Sequence, residues 1–286
     1  MKGRNFGFYG EKLRRLVGRF LYMLYNLSLP ILVIILIITM RISDTTDILE
    51  GDFELSIDNR EGKIYANYDG NYSLIEIEKD TYSNQYIISG DKREIIALPY
   101  GGGTYRIKLF ELNNEQGEGV LIVERYIEIG IGDILNPFKG VSYYTDYENS
   151  VDILNEFIED LGIHRKDYNN IDDFVYGVYQ NILENIEYDK ELKQLIMSKE
   201  IKTYRPNIDK TVNDKKGICV DKSSLMASIL RLEEVPARIV MGYTIDGEYH
   251  AWVEAYYDGE WKSFDPTDGR TYRDNSIKDY EITNYY

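Results

Sequence analysis

The residues most suited to chemistry lie between positions 217 and 267. This stretch contains the only cysteine of the chain, Cys219, and one of its two histidines, His250. It ends in an Asp-Pro pair that begins with Asp265. A cysteine, a histidine and an acid in this order are candidates for a thiol nucleophile, a general base and a carboxylate that orients the base. Together they could carry out acyl transfer through a thioester, with water or an amine as the acceptor.

The small number of cysteines and histidines narrows the possible chemistry. One cysteine in 286 residues excludes an intramolecular disulfide and a cysteine-rich zinc site. Two histidines leave no histidine cluster to hold a metal ion. We therefore predict a reaction that needs neither a metal nor a cofactor. The alternative role for a lone cysteine is that of a small buried apolar residue. The residues around Cys219 must therefore decide between this role and that of a nucleophile.

Cys219 lies at the start of a predicted helix. Leu225, Ile229 and Leu232 share one face of that helix, with small residues between them. The amino end of a helix carries partial positive charge and free N–H groups, which stabilise a thiolate and can bind a developing oxyanion. Asp221 falls in the first turn, and we interpret it as a helix-start carboxylate that supports the site rather than as a catalytic group.

Two Asp-Gly pairs divide the following residues into three predicted strands. The pairs lie at 246–247 and 258–259. An Asp-Gly pair between two strands is typical of a hairpin with a two-residue loop. Two such loops would fix which residues face each other across the sheet, because a shift of one residue moves every side chain to the opposite face.

The second loop predicts that His250 and Asp265 share one face of the sheet. Trp252 is then opposite Asp265, which makes Asp265 the diagonal neighbour of His250, with about 7–8 Å between their Cα atoms. Glu254 shares this face but lies about 13 Å farther along the strand. The geometry therefore favours Asp265 over Glu254 as the carboxylate that holds His250.

The first loop, with two residues, predicts that Tyr243 lies opposite His250. Tyr243 and Trp252 then line the same face as His250 and are expected to support a substrate pocket. We expect the helix that carries Cys219 to pack on this face, because the thiol and the imidazole must meet.

The same stretch resembles a known family. Its motifs appear in order, as G-x-C-x-D from Gly217, P-A-R from Pro236, H-A-W-x-E from His250 and W-x-x-x-D-P-T from Trp261. They are similar to those of the transglutaminase-like core domain, and the likeness covers about residues 146–270. The resemblance implies a papain-related α+β fold, in which a helix bearing the cysteine packs on an antiparallel sheet bearing the histidine and the aspartate.

The resemblance also implies a catalytic triad of Cys219, His250 and Asp265. Members of the family include cross-linking acyltransferases, peptidases and amidases. We therefore predict a thiol enzyme that acts on peptide or amide bonds of a protein or peptide, such as a component of the cell envelope. The alternative is a non-catalytic cell-surface module that keeps the fold for binding or structure.

The amino-terminal 40 residues indicate a membrane anchor. Residues 20–40 contain no charged side chain and are long enough to cross a bilayer as a helix. Residues 1–19 carry six lysines and arginines against one glutamate. The positive-inside bias therefore predicts a cytoplasmic segment over 1–19, a transmembrane helix over 20–40 and an extracellular catalytic domain. The alternatives are a cleaved signal peptide, for which no small-residue cleavage site follows, and a buried core helix.

Two domains are predicted after the anchor. Residues 52–131 contain short runs of isoleucine, valine and tyrosine separated by turn residues, a pattern typical of an immunoglobulin-like β-sandwich. We interpret this domain as a spacer or adhesion module. The transglutaminase-like domain is predicted over 146–286, with helices over Val151–Leu161 and from Ile171 to Ile186. Residues 191–216 are predicted to be irregular.

The charge argues against a nucleic-acid partner. The net charge is −16 although the amino-terminal segment is basic. An acidic body repels phosphate backbones. We interpret the acidic excess as a solvated surface, with an acidic docking patch as the alternative.

Overall fold

The protein is described by a computed structural model over residues 45–50, 53–68, 73–88, 92–112, 119–130 and 132–286. The predicted cytoplasmic segment and transmembrane helix, residues 1–19 and 20–40, lie outside these residues. Among the described residues, no helix is long and apolar enough to cross a bilayer. Contacts divide the chain into two units, Met1–Thr46 and Asp47–Tyr286, and the second contains all the described helices.

The first eight strands form two four-stranded sheets. Their bounds are β1 Thr45–Glu50, β2 Phe53–Asp58, β3 Lys63–Tyr68, β4 Ser73–Lys79, β5 Tyr82–Ile88, β6 Glu94–Ala97, β7 Gly103–Leu112 and β8 Gly119–Ile129. The sheet orders are β1-β2-β3-β6 and β5-β4-β7-β8. Alternate residues are buried, such as Ile75 and Ile77 in β4, and residues from both sheets share one apolar core. This period of two is the burial pattern of strands packed face to face in a sandwich.

Five helices follow the sandwich. They are α1 Val151–Leu161, α2 Ile171–Asn185, α3 Lys190–Met197, α4 Ile208–Asp214 and α5 Cys219–Leu232. The two helices predicted from apolar spacing, α1 and α2, are confirmed. The prediction that 191–216 is irregular is wrong, because that segment contains most of α3 and all of α4. Asp189 and Asn207 cap these two helices by accepting hydrogen bonds from backbone N–H groups, a signal for a helix start that the prediction overlooked.

A five-stranded antiparallel sheet lies against these helices in the order β14-β13-β12-β11-β15. Its strands are β11 Ala237–Tyr243, β12 Tyr249–Tyr257, β13 Glu260–Asp265, β14 Arg270–Thr271 and β15 Glu281–Tyr285. A short parallel pair, β9 Glu187–Tyr188 and β10 Lys216–Gly217, leads directly into α5. Helices grouped on an antiparallel sheet form a mixed α/β architecture, as predicted for this part of the chain.

The predicted register of the second hairpin is confirmed. Tyr257 pairs with Glu260, and the pairing continues to Val253 opposite Phe264. Asp258 and Gly259 form the two-residue loop, with φ angles of 54° and 85°. Two successive positive φ angles are those of a mirror-image turn, whose twist matches that of the strands it joins.

The predicted register of the first hairpin is wrong by one residue. His250 pairs with Gly242, and Tyr243 pairs with Tyr249. The loop has three residues rather than two, because the N–H of Gly247 donates to the carbonyl of Thr244 at 2.9 Å and Gly247 has a φ of 78°. A turn followed by a left-handed glycine is the usual form of a three-residue hairpin loop. Tyr243 therefore does not share a face with His250.

Helix α5 packs on the opposite face of the sheet from the one we expected. Ala251 and Val253 lie in the same apolar cluster as Leu225 and Ile229 of α5. Trp252 belongs to a separate cluster on the other face. The small side chains of the first face admit a helix closely, whereas an indole would hold it away. His250 can still meet the thiol because it is the second residue of β12, at the end of the strand.

The linker between the sandwich and α1 is fixed to both parts. Arg205 donates to Glu94 of the sandwich at 2.6 Å and to the carbonyl of Tyr143 in the linker at 3.0 Å. Ser224 of α5 donates to the carbonyl of Tyr144. These contacts hold Tyr144 beside the amino end of α5.

Candidate active site

Cys219 is the first residue of α5, and the start of this helix explains the G-x-C-x-D spacing. The Oδ2 atom of Asp221 accepts the backbone N–H of Ile218 at 2.8 Å, which caps the helix. A Cβ atom at Gly217 would lie 2.6 Å from the Cβ of Asp221, so only glycine fits there. The thiol itself is half-buried.

Asp221 also orients a tyrosine beside the thiol. Its Oδ1 atom accepts the hydroxyl of Tyr204 at 2.7 Å. Burial raises the pKa of the Asp221 carboxyl, and the hydrogen bonds from Tyr204 and Ile218 only partly oppose this. The structure therefore places Asp221 at the start of the helix as its cap, and it adds a contact with Tyr204 that the sequence did not predict.

His250 and Asp265 form a buried hydrogen-bonded pair. The Nε2 atom of His250 lies 2.9 Å from Oδ2 of Asp265, and Asp265 is completely buried. The Oδ1 atom of Asp265 accepts the backbone N–H groups of Thr267 and Asp268 at 2.9 and 3.1 Å. Because the Nε2 atom of His250 is hydrogen-bonded to Asp265, the Nδ1 atom is the ring nitrogen that remains for the thiol of Cys219.

The electrostatics of this pair favour the charged forms. Burial disfavours a charge on His250, but hydrogen bonds with Asp265 and Cys219 outweigh it and raise the pKa of His250 to about 10. Burial also disfavours the Asp265 carboxylate, but the hydrogen bond from His250 and the two backbone N–H groups hold its pKa below the usual value. Near neutral pH the pair is therefore an imidazolium and a carboxylate.

Tyr280 is a further residue of this group that the sequence reasoning missed. Its hydroxyl donates to Oδ2 of Asp265 at 3.0 Å, and its ring lies edge-on to those of His250 and Trp252. Trp252 packs against Tyr280, and Tyr280 in turn is hydrogen-bonded to Asp265. Trp252 therefore supports Asp265 and does not line the pocket beside Cys219. Tyr280 follows a run of turns after Asp265, and no motif or strand periodicity in the sequence marks it.

A cleft of about 510 Å³ opens beside the thiol. Most of its lining residues are apolar or aromatic. They are Tyr144, Tyr188, Lys193, Ile196, Met197, Tyr204, Ile218, Cys219, Val220, Met241, Glu248, Tyr249, His250 and Ala251. Tyr249 takes the place that was predicted for Tyr243, which is 42% exposed and lies outside this lining. The one-residue shift of the first hairpin accounts for the exchange.

Comparison with known families agrees with the sequence motifs. Residues 162–266 match the family model of the transglutaminase-like superfamily. This chain contains a transglutaminase-like domain. The resemblance inferred from the motifs is thereby confirmed for this part of the chain.

Several known proteins are similar to the chain over part of its length. The uncharacterized protein YebA of Bacillus subtilis (strain 168) is 31% identical over 146 residues, which are 44% of this chain and 19% of that protein. The uncharacterized protein ML0607 of Mycobacterium leprae (strain TN) is 33% identical over 82 residues, 25% of each chain. The periplasmic domain of TgpA from Pseudomonas aeruginosa aligns with 77% of this chain and 71% of its own, at 14% identity and a TM-score of 0.33. The chain thus spans a quarter or less of the two curated relatives.

The acids near His250 in the transglutaminase-like domain suit hydrogen bonding better than metal binding. Ligand atoms of His250, Asp265 and Asp268 lie within 4.8 Å of one another. Asp265, however, already accepts from four donors, which are two backbone N–H groups, His250 and Tyr280. A carboxylate has about four acceptor positions, so none is left for an ion.

A buried lysine of the transglutaminase-like domain leads to a prediction about stability. Lys222, in the first turn of α5, is 3% exposed. Burial lowers its pKa to about 8, although the charges of Asp265 and Asp268 oppose this. Because folding lowers the pKa of Lys222, the charged lysine costs free energy in the folded state. This cost is fully present below the folded pKa of about 8, and it disappears as the pH rises to the unfolded pKa of 10.5. Lys222→Met is therefore expected to raise the free energy of unfolding at pH 7 by about 1 kcal/mol.

Denaturant unfolding at pH 7 and pH 10 checks this expectation. The gain should shrink at the higher pH, and Lys166→Met, at an exposed position, should change little at either. A loss of stability in Lys222→Met at pH 7 would show instead that the charge of Lys222 holds the fold together.

Proposed function

We propose that the protein is a thiol enzyme that transfers or hydrolyses acyl groups at peptide or amide bonds. The observation that carries this is the His250–Asp265 pair, which is buried beside Cys219 at the amino end of α5. A nucleophile, a base and a group that orients the base are what this reaction requires. The transglutaminase-like domain supports the proposal, because cysteine peptidases and acyltransferases share this fold.

The proposed reaction has two steps. The thiolate of Cys219 attacks the carbonyl carbon, and the imidazolium of His250 gives its proton to the departing amine, which leaves a thioester on Cys219. Water or a second amine then attacks the thioester while His250 takes up its proton. Cys219 leaves as a thiolate and His250 is again an imidazolium, as at the start of the reaction. Asp265 keeps the ring of His250 in one orientation throughout.

We propose two donors that stabilise the oxyanion of the intermediate. The backbone N–H of Cys219 is one, because the first N–H groups of a helix have no partner within it. The phenol of Tyr188 is the other. Tyr188 lines the same cleft as Cys219, which supports its assignment as this donor. Sequence reasoning did not find Tyr188, which enters the site through the pairing of β9 with Gly217 in β10.

We propose further that residues 20–40 anchor the enzyme in the membrane with the catalytic domain outside the cell. This rests on the uncharged run and on the basic residues that precede it. Protease treatment of intact cells tests the orientation. Loss of the catalytic domain from intact cells would support it, whereas a domain that is protected until the cells are lysed would contradict it.

Product analysis tests the proposed chemistry. The full chain would be incubated with a denatured cell-envelope protein fraction, with and without an added primary amine, and the products identified by mass spectrometry. New peptide termini indicate hydrolysis, and amine adducts indicate transfer. Products that appear equally with Cys219→Ala would contradict the proposal and favour a non-catalytic surface module.

A further inference from the structure

The cleft beside Cys219 has an apolar wall formed by two separate elements. Helix α3 contributes Ile196 and Met197, and the hairpin of β11 and β12 contributes Met241 and Tyr249. Its volume, about 510 Å³, lies within the usual range for pockets that hold a small ligand. The cleft is continuous with the thiol and so receives whatever is attached to the carbonyl under attack.

The charges at the cleft neutralise each other. Besides His250, the charged side chains in the lining are Lys193 of α3 and Glu248 of the hairpin loop. Their Nζ and Oε2 atoms are 3.2 Å apart. A charged or strongly polar group entering the cleft would therefore meet no unpaired opposite charge from the described lining residues. A charged group would therefore lose hydration without gaining an opposite charge in its place.

The apolar residues of α3 remain open to solvent in the structure. None of the side chains of α3 is buried, and Met197 is 72% exposed. Tyr249, on the facing hairpin, is 56% exposed. An apolar ligand between these two elements would remove both side chains from water, which is favourable in proportion to the apolar area covered.

We propose that the acyl group accepted by Cys219 carries a large uncharged apolar side chain that binds in this cleft, and that Ile196 determines the preference. This inference rests on the proposed function, because it describes the substrate of the same thiol. Ile196 is half-buried on α3 and lines the cleft. The size and polarity of the side chain at position 196 therefore decide which substrate side chains fit in the cleft.

A set of peptidyl chloromethyl ketones tests the inference directly. In this reaction the thiolate displaces chloride and a thioether forms, so the probe reports binding next to the nucleophile without needing a known substrate. Probes that carry leucine, alanine, glutamine or glutamate next to the reactive group would be compared by their second-order labelling rates on the full chain. We expect the leucyl probe to react about 10- to 100-fold faster than the other three, as apolar pockets discriminate by roughly this factor.

Two variants make the test specific to the cleft. Ile196→Asp places a charge in the lining and should remove most of the preference for the leucyl probe. Gln194→Asp places the same charge on an exposed position of the same helix outside the lining, and should leave the preference unchanged. Iodoacetamide carries no side chain, so its reaction rate is measured in the parent protein and in both variants, and each chloromethyl ketone rate is divided by it to remove any change in the reactivity of the thiol itself.

The outcomes separate the substrate class from the chemistry. Equal rates with all four probes, together with fast labelling by iodoacetamide that depends on His250, would overturn the apolar preference and leave the proposed function standing. A preference that survives Ile196→Asp would overturn the role of Ile196. Slow iodoacetamide labelling that is unchanged by His250→Ala would overturn the proposed function and this inference with it.

Discussion

Replacement of His250 by alanine is expected to lower kcat/KM for acyl transfer by about 10²- to 10⁴-fold, the usual contribution of a general acid–base group. The variant loses the group that protonates the leaving amine and the cation that pairs with the thiolate. Cys219→Ala removes the nucleophile and should abolish turnover. The measurement is the rate of product formation from a substrate identified by mass spectrometry.

The second histidine of the chain provides a matched control. His164 follows α1, where its Nε2 atom lies 3.5 Å from a carboxylate oxygen of Glu159, and it is not part of the cleft lining. His164→Ala should keep nearly full activity. If His250→Ala and His164→Ala lose activity to a similar small extent, His250 is not the general base.

The Asp265→Asn variant is expected to lose about 10²-fold or more in kcat while its substrate KM changes little. All four partners of Asp265 are donors, with two on each oxygen. An asparagine has one acceptor oxygen, so either orientation of its amide directs an NH₂ group at donors. The side chain would either release His250 and Tyr280 or break the turn at 267–268. A buried mismatch of this kind also costs about 1–3 kcal/mol of stability.

Tyr280→Phe separates the two effects in Asp265→Asn. It removes one donor from Oδ2 of Asp265 but keeps the ring that packs against Trp252 and leaves the His250 bond in place. Activity should fall by less than about tenfold, the cost of one net hydrogen bond. Full activity in Asp265→Asn, measured alongside a folded Tyr280→Phe, would exclude Asp265 as the residue that orients His250.

The sequence was most informative where a local rule has one structural solution. The pair Asp258-Gly259 forms a loop of two residues, so it gave the register of β12 and β13 and placed Asp265 on the same face as His250. The pair Asp246-Gly247 has the same sequence but belongs to a three-residue loop. The dipeptide does not distinguish these loops, and the resulting shift exchanged Tyr243 for Tyr249 in the cleft.

Other parts of the site depend on contacts between distant residues. Tyr280 reaches Asp265 from a segment 15 residues away, and Tyr204 reaches Asp221 across 17 residues of helix and loop. Neither contact produces a periodic pattern or a fixed motif in the sequence, because each carboxylate needs only one tyrosine hydroxyl within hydrogen-bond distance. Local sequence rules also did not predict the face of the sheet on which α5 packs. His250 lies at the end of a strand and can therefore reach a helix on either face.

The central claim is that His250 activates Cys219 as the nucleophile, and iodoacetamide alkylation at pH 7 tests it most directly. The thiolate is the reactive species, and a free cysteine is only a few per cent thiolate at pH 7. We predict that Cys219 in the parent protein reacts about tenfold or more faster at pH 7 than in His250→Ala. Equal rates in the two proteins at pH 7 would contradict the account.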